Sequence, residues 1–425
     1  MPLRPTPLAA PLLALGIALL AGCSSLPWAA GKTPDGARAN VAILETTDVH
    51  ANVLGYDYYQ LKPDPSLGYE RTATLIHAAR REFPNTLLFD SGDTIQGTVL
   101  ADYQAQVAPV SCAQRLAIYA AMNTQGYDGG TAGNHEFNYG LGFLSQVTGT
   151  PMHVEGGETR RCAGPDFPLV LANVDSALDG QPIFPPWKLL ERRFEAWSVD
   201  GSRIEVPLRV AIIGFTPPPI MHWDRVRLAG KVKVSGVIEA AERYLPAIRA
   251  ARPDLVIAIL HGGLDAQPYT PDMENAGWHL AGLDGIDVLL LGHSHTSFPG
   301  PRFAGLPEVD AERGLVRGKP AVMGGFFGKD LGVVRLQLLR EGRRWVLDPH
   351  ASRSEVRPIC RNDHDCVAPD PEIRPLVEAA HEAAIRYVNT PIGDTRLELS
   401  SWFADVGDMR ALAVVNAAQR DYVRR

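Results

Sequence analysis

Cysteine is scarce, basic residues hold no majority, and long apolar runs are almost absent from this chain. Five cysteines in 425 residues, with no Cys-x-x-Cys pair among them, argue against a thiolate zinc module. Lys and Arg number 41 against 48 Asp and Glu, a net charge of −7, which speaks against a broad basic face gripping polymeric nucleic acid. That balance leaves room for a small phosphorylated substrate, because bound cations would invert the field at a site. Only residues 8–20 form an extended apolar stretch, too short for a spanning helix. The composition, 45% apolar and 21% charged, is ordinary for a globular protein and has room for one large or two moderate domains.

The apolar stretch follows a single charge, Arg4, and ends in Leu20-Ala21-Gly22-Cys23-Ser24. Its layout is that of a signal peptide, and Leu-Ala-Gly-Cys resembles the bacterial lipobox. That resemblance implies removal of residues 1–22, lipid on the Cys23 thiol and two-chain anchoring to a membrane. Ser24 in place of Asp points to the outer membrane. The expected location is the periplasmic face of a bacterial membrane, with 23–39 as a polar linker; an ordinary signal peptide cut elsewhere is the alternative. In an oxidising compartment, Cys112, Cys162, Cys360 and Cys366 read as disulfides. Proximity favours Cys360–Cys366 and, by elimination, Cys112–Cys162, with connectivity left open.

From residue 40 the pattern alternates between strand and helix. Apolar runs at 41–44, 86–89, 169–172, 208–213, 255–260, 288–291, 321–323 and 333–338 predict strands, the last two antiparallel in composition. Helices are expected at 71–81, 114–122, 141–147, 237–251, 372–388 and 411–423. Five short segments punctuate this pattern: Asp48-x-His50, Gly92-Asp93, Gly133-Asn134-His135-Glu136, His261-Gly262 and Gly292-His293-Ser294-His295. All but the Asn134 segment follow an apolar run, so their side chains fall at the carboxyl ends of strands, where α/β sheets form binding crevices. One such motif alone is most often a satisfied core residue. Five of the 12 histidines lie in these segments, which makes coincidence the weaker reading.

The donors are Asp, His and Asn, with no cysteine, a set suited to two divalent ions such as Mn, Zn, Fe or Co. Asp93 is the natural bridge. One ion would take Asp48, His50, Asp93 and His295, and the other Asp93, Asn134, His261 and His293. Water held by such a pair ionises at a pKa that can fall to about 7 and can attack phosphorus. His135 is free to stabilise the transition state or protonate the leaving oxygen; its bland role is support of Asn134. Glu136 either orients the site or caps the following helix.

These ordered motifs, with Glu45-Thr46-Thr47-Asp48, Gly133 to Gly140, Pro218-Pro219-Ile220-Met221, Trp223-Asp224 and Phe298-Pro299-Gly300, resemble the calcineurin-like metallophosphoesterases, and within them the exported bacterial nucleotidases. The resemblance implies the ligand assignment above, with His135 as the catalytic histidine. Asn138 stands where many 5′-nucleotidase relatives carry an Asp that forms a dyad with that histidine; an amide can orient an imidazole but not neutralise imidazolium. Asn138 and His295 together fit the branch that hydrolyses nucleoside 2′,3′-cyclic phosphates to 3′-nucleotides, and then 3′-nucleotides to nucleosides. The implied fold is a four-layer α/β/β/α sandwich over 40–360, followed in 361–425 by a connecting helix and the start of an incomplete C-terminal domain. A 5′-nucleotidase or UDP-sugar hydrolase is the rival within the class. A truncated, non-catalytic surface lipoprotein is the rival outside it.

Overall fold

The structure, a computed structural model, describes residues 33–362, 365–407 and 409–424. Cys23 and the expected signal peptide lie outside the described residues. The first half-sheet is built on the strand Arg38–Thr46, whose residues after Asn40 are all buried. It runs parallel to Thr86–Asp90 and antiparallel to Asp330–Glu341. The latter also pairs with Arg344–Leu347 and Arg353–Pro358. The second half-sheet is built on Arg203–Phe215, flanked by antiparallel Trp187–Trp197 and by parallel Leu255–Leu260, Val288–Leu291 and Lys319–Gly324 in turn. Strand pairing joins the two halves at Arg38 opposite Trp197, and Asn85 adds two hydrogen bonds to the Glu195 backbone.

Side-chain alternation converts the two half-sheets into layers. Val41, Ile43, Phe89, Val334 and Leu336 from one meet Val210, Ile212, Ile257, Ile259 and Leu290 from the other in a shared core. Their neighbours on the opposite face, Ala42, Leu44, Leu88 and Val333, pack against the helices Tyr69–Glu82, Ala117–Thr124, Leu141–Val147 and Ile373–Val388. On the far side, Ile213, Ala258, Leu260, Leu289 and Met323 meet the helix Val237–Ala250. The order is helix, sheet, sheet, helix, as the resemblance implied.

Three details differ from expectation. Residues 169–172 are buried but form no ladder; Leu169 makes an isolated bridge to Gly130, and the backbone of Val170 and Ala172 bonds to Gly130 and Gly214. The strand holding Ala321–Met323 is parallel to Val288–Leu291, although it also meets two short antiparallel neighbours. The long strand Trp187–Trp197 had no counterpart in the sequence reading, because Lys188, Glu191, Arg192, Arg193 and Glu195 dilute its apolar alternation.

The helix Ile373–Val388, expected as a connector, lends Ile373, Val377 and Ala384 to the outer core, and its His381 Nδ1 lies 2.8 Å from Tyr58 Oη. The helix Arg410–Arg424 has no buried residue. Cys112 is bonded to Cys162 and Cys360 to Cys366. Among the described residues no helix is long and apolar enough to cross a membrane.

Candidate metal centre

The loops leaving the strands Arg38–Thr46, Thr86–Asp90, Leu255–Leu260 and Val288–Leu291 converge on one point. Their turns are tight enough to force six non-glycine residues into the left-handed region: Asp48 (φ 50°), His50 (49°), Ala51 (54°), Asp93 (57°), His293 (71°) and His295 (48°). Such a conformation costs about 1–2 kcal/mol per residue and persists where surrounding bonds over-determine it. Here they do. Asp48 N donates to Gly92 O at 2.9 Å, His50 N to Asp93 O at 2.8 Å, and His293 N to Asp48 Oδ2 at 2.9 Å. Glycine is required at two approaches: a Cβ on Gly133 would sit 2.3 Å from Asp93 Oδ1, and one on Gly292 2.3 Å from Thr47 Oγ1.

Six of the seven expected ligands meet here, and Asn134 stands on the adjoining loop, next to Gly133. Three overlapping groups bring donor atoms within 4.8 Å of one another: Asp48, His50 and His295; His50, Asp93 and His135; Asp93, His261 and His293. Asp93 Oδ2 lies 3.0 Å from His261 Nε2 and 3.7 Å from His50 Nε2, while His295 Nε2 lies 3.4 Å from Asp48 Oδ1. Asp48, His50, Asp93 and His261 are buried; His293 is partly open and His295 exposed, so the centre has a floor and a mouth.

The residues fit a cation pair on two observations. Asn134 Oδ1 and His261 Nε2 are buried with no hydrogen-bond partner, His261 facing Asp93 closely but without alignment. Orphaned buried acceptors are costly unless something fills the gap. The tautomers agree as well: His50 Nδ1 lies 2.7 Å from Gln96 O and His261 Nδ1 2.8 Å from Ser91 O. Each Nδ1 therefore carries the proton, and each Nε2 lone pair is directed into the centre.

Charge in the metal-free centre follows the same logic. Burial is the largest influence and acts to raise Asp93 and Asp48, but the imidazoles around them, His261 foremost with His50 and His135 at Asp93 and with His295 and His50 at Asp48, together outweigh it and hold both carboxyls below their ordinary range. Burial acts to lower His261, yet Asp93 and Asp48 push it up to about 10. His50 goes the other way, lowered by burial. A raised imidazole stabilises the fold fully below its ordinary pKa of about 6.5 and loses that contribution as pH climbs towards the folded value. The melting temperature of metal-free protein is accordingly expected to fall between pH 6.5 and 10. Saturating Mn²⁺, competing for the same nitrogen, should flatten that slope. Equal slopes with and without Mn²⁺ would count against His261 as a ligand.

Glu136, for which two roles were open, is buried and accepts from the backbone N–H of Asp93 (2.8 Å), Thr94 (2.6 Å), Ile95 (3.2 Å) and Gly133 (2.6 Å). It stitches the Asp93 loop to the Asn134 loop and does not cap the Leu141–Val147 helix. Burial and the charge of Asp93 raise its carboxyl, and the backbone donors oppose them. Glu136→Ala should leave these donors unpaired and destabilise the protein by at least about 3 kcal/mol; chemical denaturation measures it.

His135 stands at the mouth, its side chain 36% exposed and its Nε2 3.9 Å from Asp93 Oδ2. Its Nδ1 meets Gln96 Oε1. Asn138 does not take that position: its amide donates to Asp224 Oδ2 at 2.9 Å, and burial raises the Asp224 carboxyl. Gln96 and Glu274, which lies 2.6 Å from His293 Nε2, carry no motif in the sequence, and Asp224 stands there within Trp223-Asp224 with no role attached to it. Gln96 sits three residues beyond Asp93, the one positional hint available.

The Calcineurin-like phosphoesterase family profile matches residues 41–297, and the chain belongs to that family. The chain is 37% identical over 389 residues to the 2′,3′-cyclic-nucleotide 2′-phosphodiesterase/3′-nucleotidase of Salmonella typhimurium, covering 91% of this chain and 57% of the relative. Against the protein of the same name from Yersinia enterocolitica it is 36% identical, covering 96% of this chain and 59% of the relative. It thus spans little more than half the length of these relatives. The crystal structure of calcineurin-like phosphoesterase YfkN from Bacillus subtilis superposes with a TM-score of 0.74 at 34% identity, covering 83% of this chain and all of that one.

Proposed function

We propose that this chain is the catalytic part of a dinuclear phosphoesterase that opens nucleoside 2′,3′-cyclic phosphates to 3′-nucleotides and hydrolyses 3′-nucleotides to nucleosides. The observation that carries the reading is the pair of orphaned acceptors, Asn134 Oδ1 and His261 Nε2, beside ligand groups that share Asp93. Asp48, His50, Asp93 and His295 hold one ion; Asp93, Asn134, His261 and His293 hold the other. The ions supply Lewis acidity, acidifying water and neutralising phosphoryl charge. His135, at the open side of Asp93, holds a proton at Nε2 for the leaving ribose oxygen, its ring fixed by Gln96 at Nδ1. Asn138 and Asp224 brace the turn beneath it. The names of the relatives above support the choice of substrate.

Product analysis with 2′,3′-cAMP, 3′-AMP and 5′-AMP tests the substrate. Turnover of 5′-AMP alone would replace the proposal with a 5′-nucleotidase. Bis-p-nitrophenyl phosphate, which needs little base recognition, tests catalysis itself, and no rate with both ions bound would favour a non-catalytic lipoprotein. Export follows from the Leu20 to Cys23 segment, with lipid on Cys23 holding the protein at the periplasmic face of the outer membrane. Cys23→Ala should move the protein out of the membrane fraction; unchanged fractionation would remove the anchor from the account.

A further inference from the structure

His293 differs from the other imidazoles of the centre in which nitrogen is engaged. Its Nε2 lies 2.6 Å from Glu274 Oε1, so Nδ1 is the nitrogen left for the centre, the reverse of His50 and His261. Its partner is also a carboxylate, whereas theirs are backbone carbonyls. A carboxylate accepting the N–H of a ligating imidazole fixes the tautomer and strengthens the opposite nitrogen as a donor. Glu274 is held in place for this. Gly263 N donates to Asn275 Oδ1 at 2.7 Å and Asp265 N to Asn275 O at 3.0 Å, which folds the loop bearing Glu274 back onto the end of the strand carrying His261. The Trp223 indole stacks on the His293 ring, centroids 5.5 Å apart and planes at 26°, and His261 meets the ring edge-on at 5.2 Å. The ring is constrained at its face and its far edge. His295, in the same motif, stacks on Phe326 but faces His50 and Asp48 instead of an outer carboxylate.

We propose that Glu274 is a positioning residue for one ion of the pair: through Nε2 of His293 it presents Nδ1 to the site shared with Asp93, Asn134 and His261, and leaves the Asp48–His50–His295 site untouched. This rests on the two-cation reading above. The test is titration of the full chain with Mn²⁺ by calorimetry, with electron paramagnetic resonance to separate a coupled Mn pair from a single bound ion. Glu274→Ala should weaken one of the two Mn²⁺ sites by about 10–100-fold, the usual effect of removing such a partner, and leave the other within about twofold. Glu274→Gln keeps an acceptor oxygen at the same reach and should restore most of the lost affinity, a rescue that a contact serving only stability would not produce. Equal weakening of both ions in Glu274→Ala, or no weakening of either, overturns the proposal. Failure of Glu274→Gln to recover above Glu274→Ala overturns it too, since an acceptor at Nε2 of His293 would then not be what sustains the affinity. A wild-type chain that binds a single Mn²⁺ overturns the two-cation reading itself and this inference with it.

Discussion

Replacing Asp93 by alanine is expected to release both ions and to lower turnover of bis-p-nitrophenyl phosphate by roughly 10³-fold or more, the scale of losing several kcal/mol of cation stabilisation. One oxygen explains the size of the effect. Asp93 Oδ2 is 3.0 Å from His261 Nε2 and 3.7 Å from His50 Nε2, so it faces nitrogens of both proposed ligand sets and belongs to two of the three donor groups. The other oxygen is engaged elsewhere, accepting His135 N at 2.8 Å. Asp93→Ala therefore removes a shared ligand and loosens the turn carrying Asn134 and His135. Asp93→Asn separates the two losses, because it keeps the volume and an acceptor for the turn while removing the charge. Both variants should be metal-poor after dialysis, and only the alanine variant should also melt appreciably lower. Elemental analysis finding two ions per chain in either variant would remove Asp93 from the bridge.

The parts of the molecule legible in sequence are those decided by local chemistry. Unbroken apolar runs such as 255–260 and 288–291 are buried strands, both faces covered by the layered architecture. Their glycine-flanked polar ends had to carry the donors, since no interior position of such a strand tolerates a charge. Trp187–Trp197 was illegible for the opposite reason: much of its surface is open, so five charges fall where alternation would have shown a strand. The pairings that orient the side chains of the site were illegible because each is set by a long-range approach. Gln96 reaches His135 across 39 positions, Asp224 reaches Asn138 across 86, and Glu274 reaches His293 from a loop with no motif of its own. The left-handed backbone at Asp48, His50, Asp93, His293 and His295 was equally hidden, because none of these is a glycine. It is a consequence of the loops bonding to one another at the centre.

His135→Ala should behave unlike any ligand variant: two ions retained, and kcat reduced by about 10²–10⁴-fold, the range for losing a positioned acid or base. The geometry separates the two behaviours. His135 Nε2 is 3.9 Å from Asp93 Oδ2, farther than either ligand nitrogen facing that oxygen, His261 at 3.0 Å and His50 at 3.7 Å. Its other nitrogen is committed to Gln96, a contact that aims the ring without tying it to either carboxylate. A proton donor matters in proportion to the basicity of the oxygen it serves. The loss should therefore be larger for a 2′,3′-cyclic nucleotide, whose leaving group is a ribose alkoxide, than for bis-p-nitrophenyl phosphate, whose phenolate departs without help. An equal loss on both substrates would point to charge stabilisation at phosphorus in place of proton donation. Loss of metal from His135→Ala would make the imidazole a ligand and dissolve the division of roles between it and Asn134.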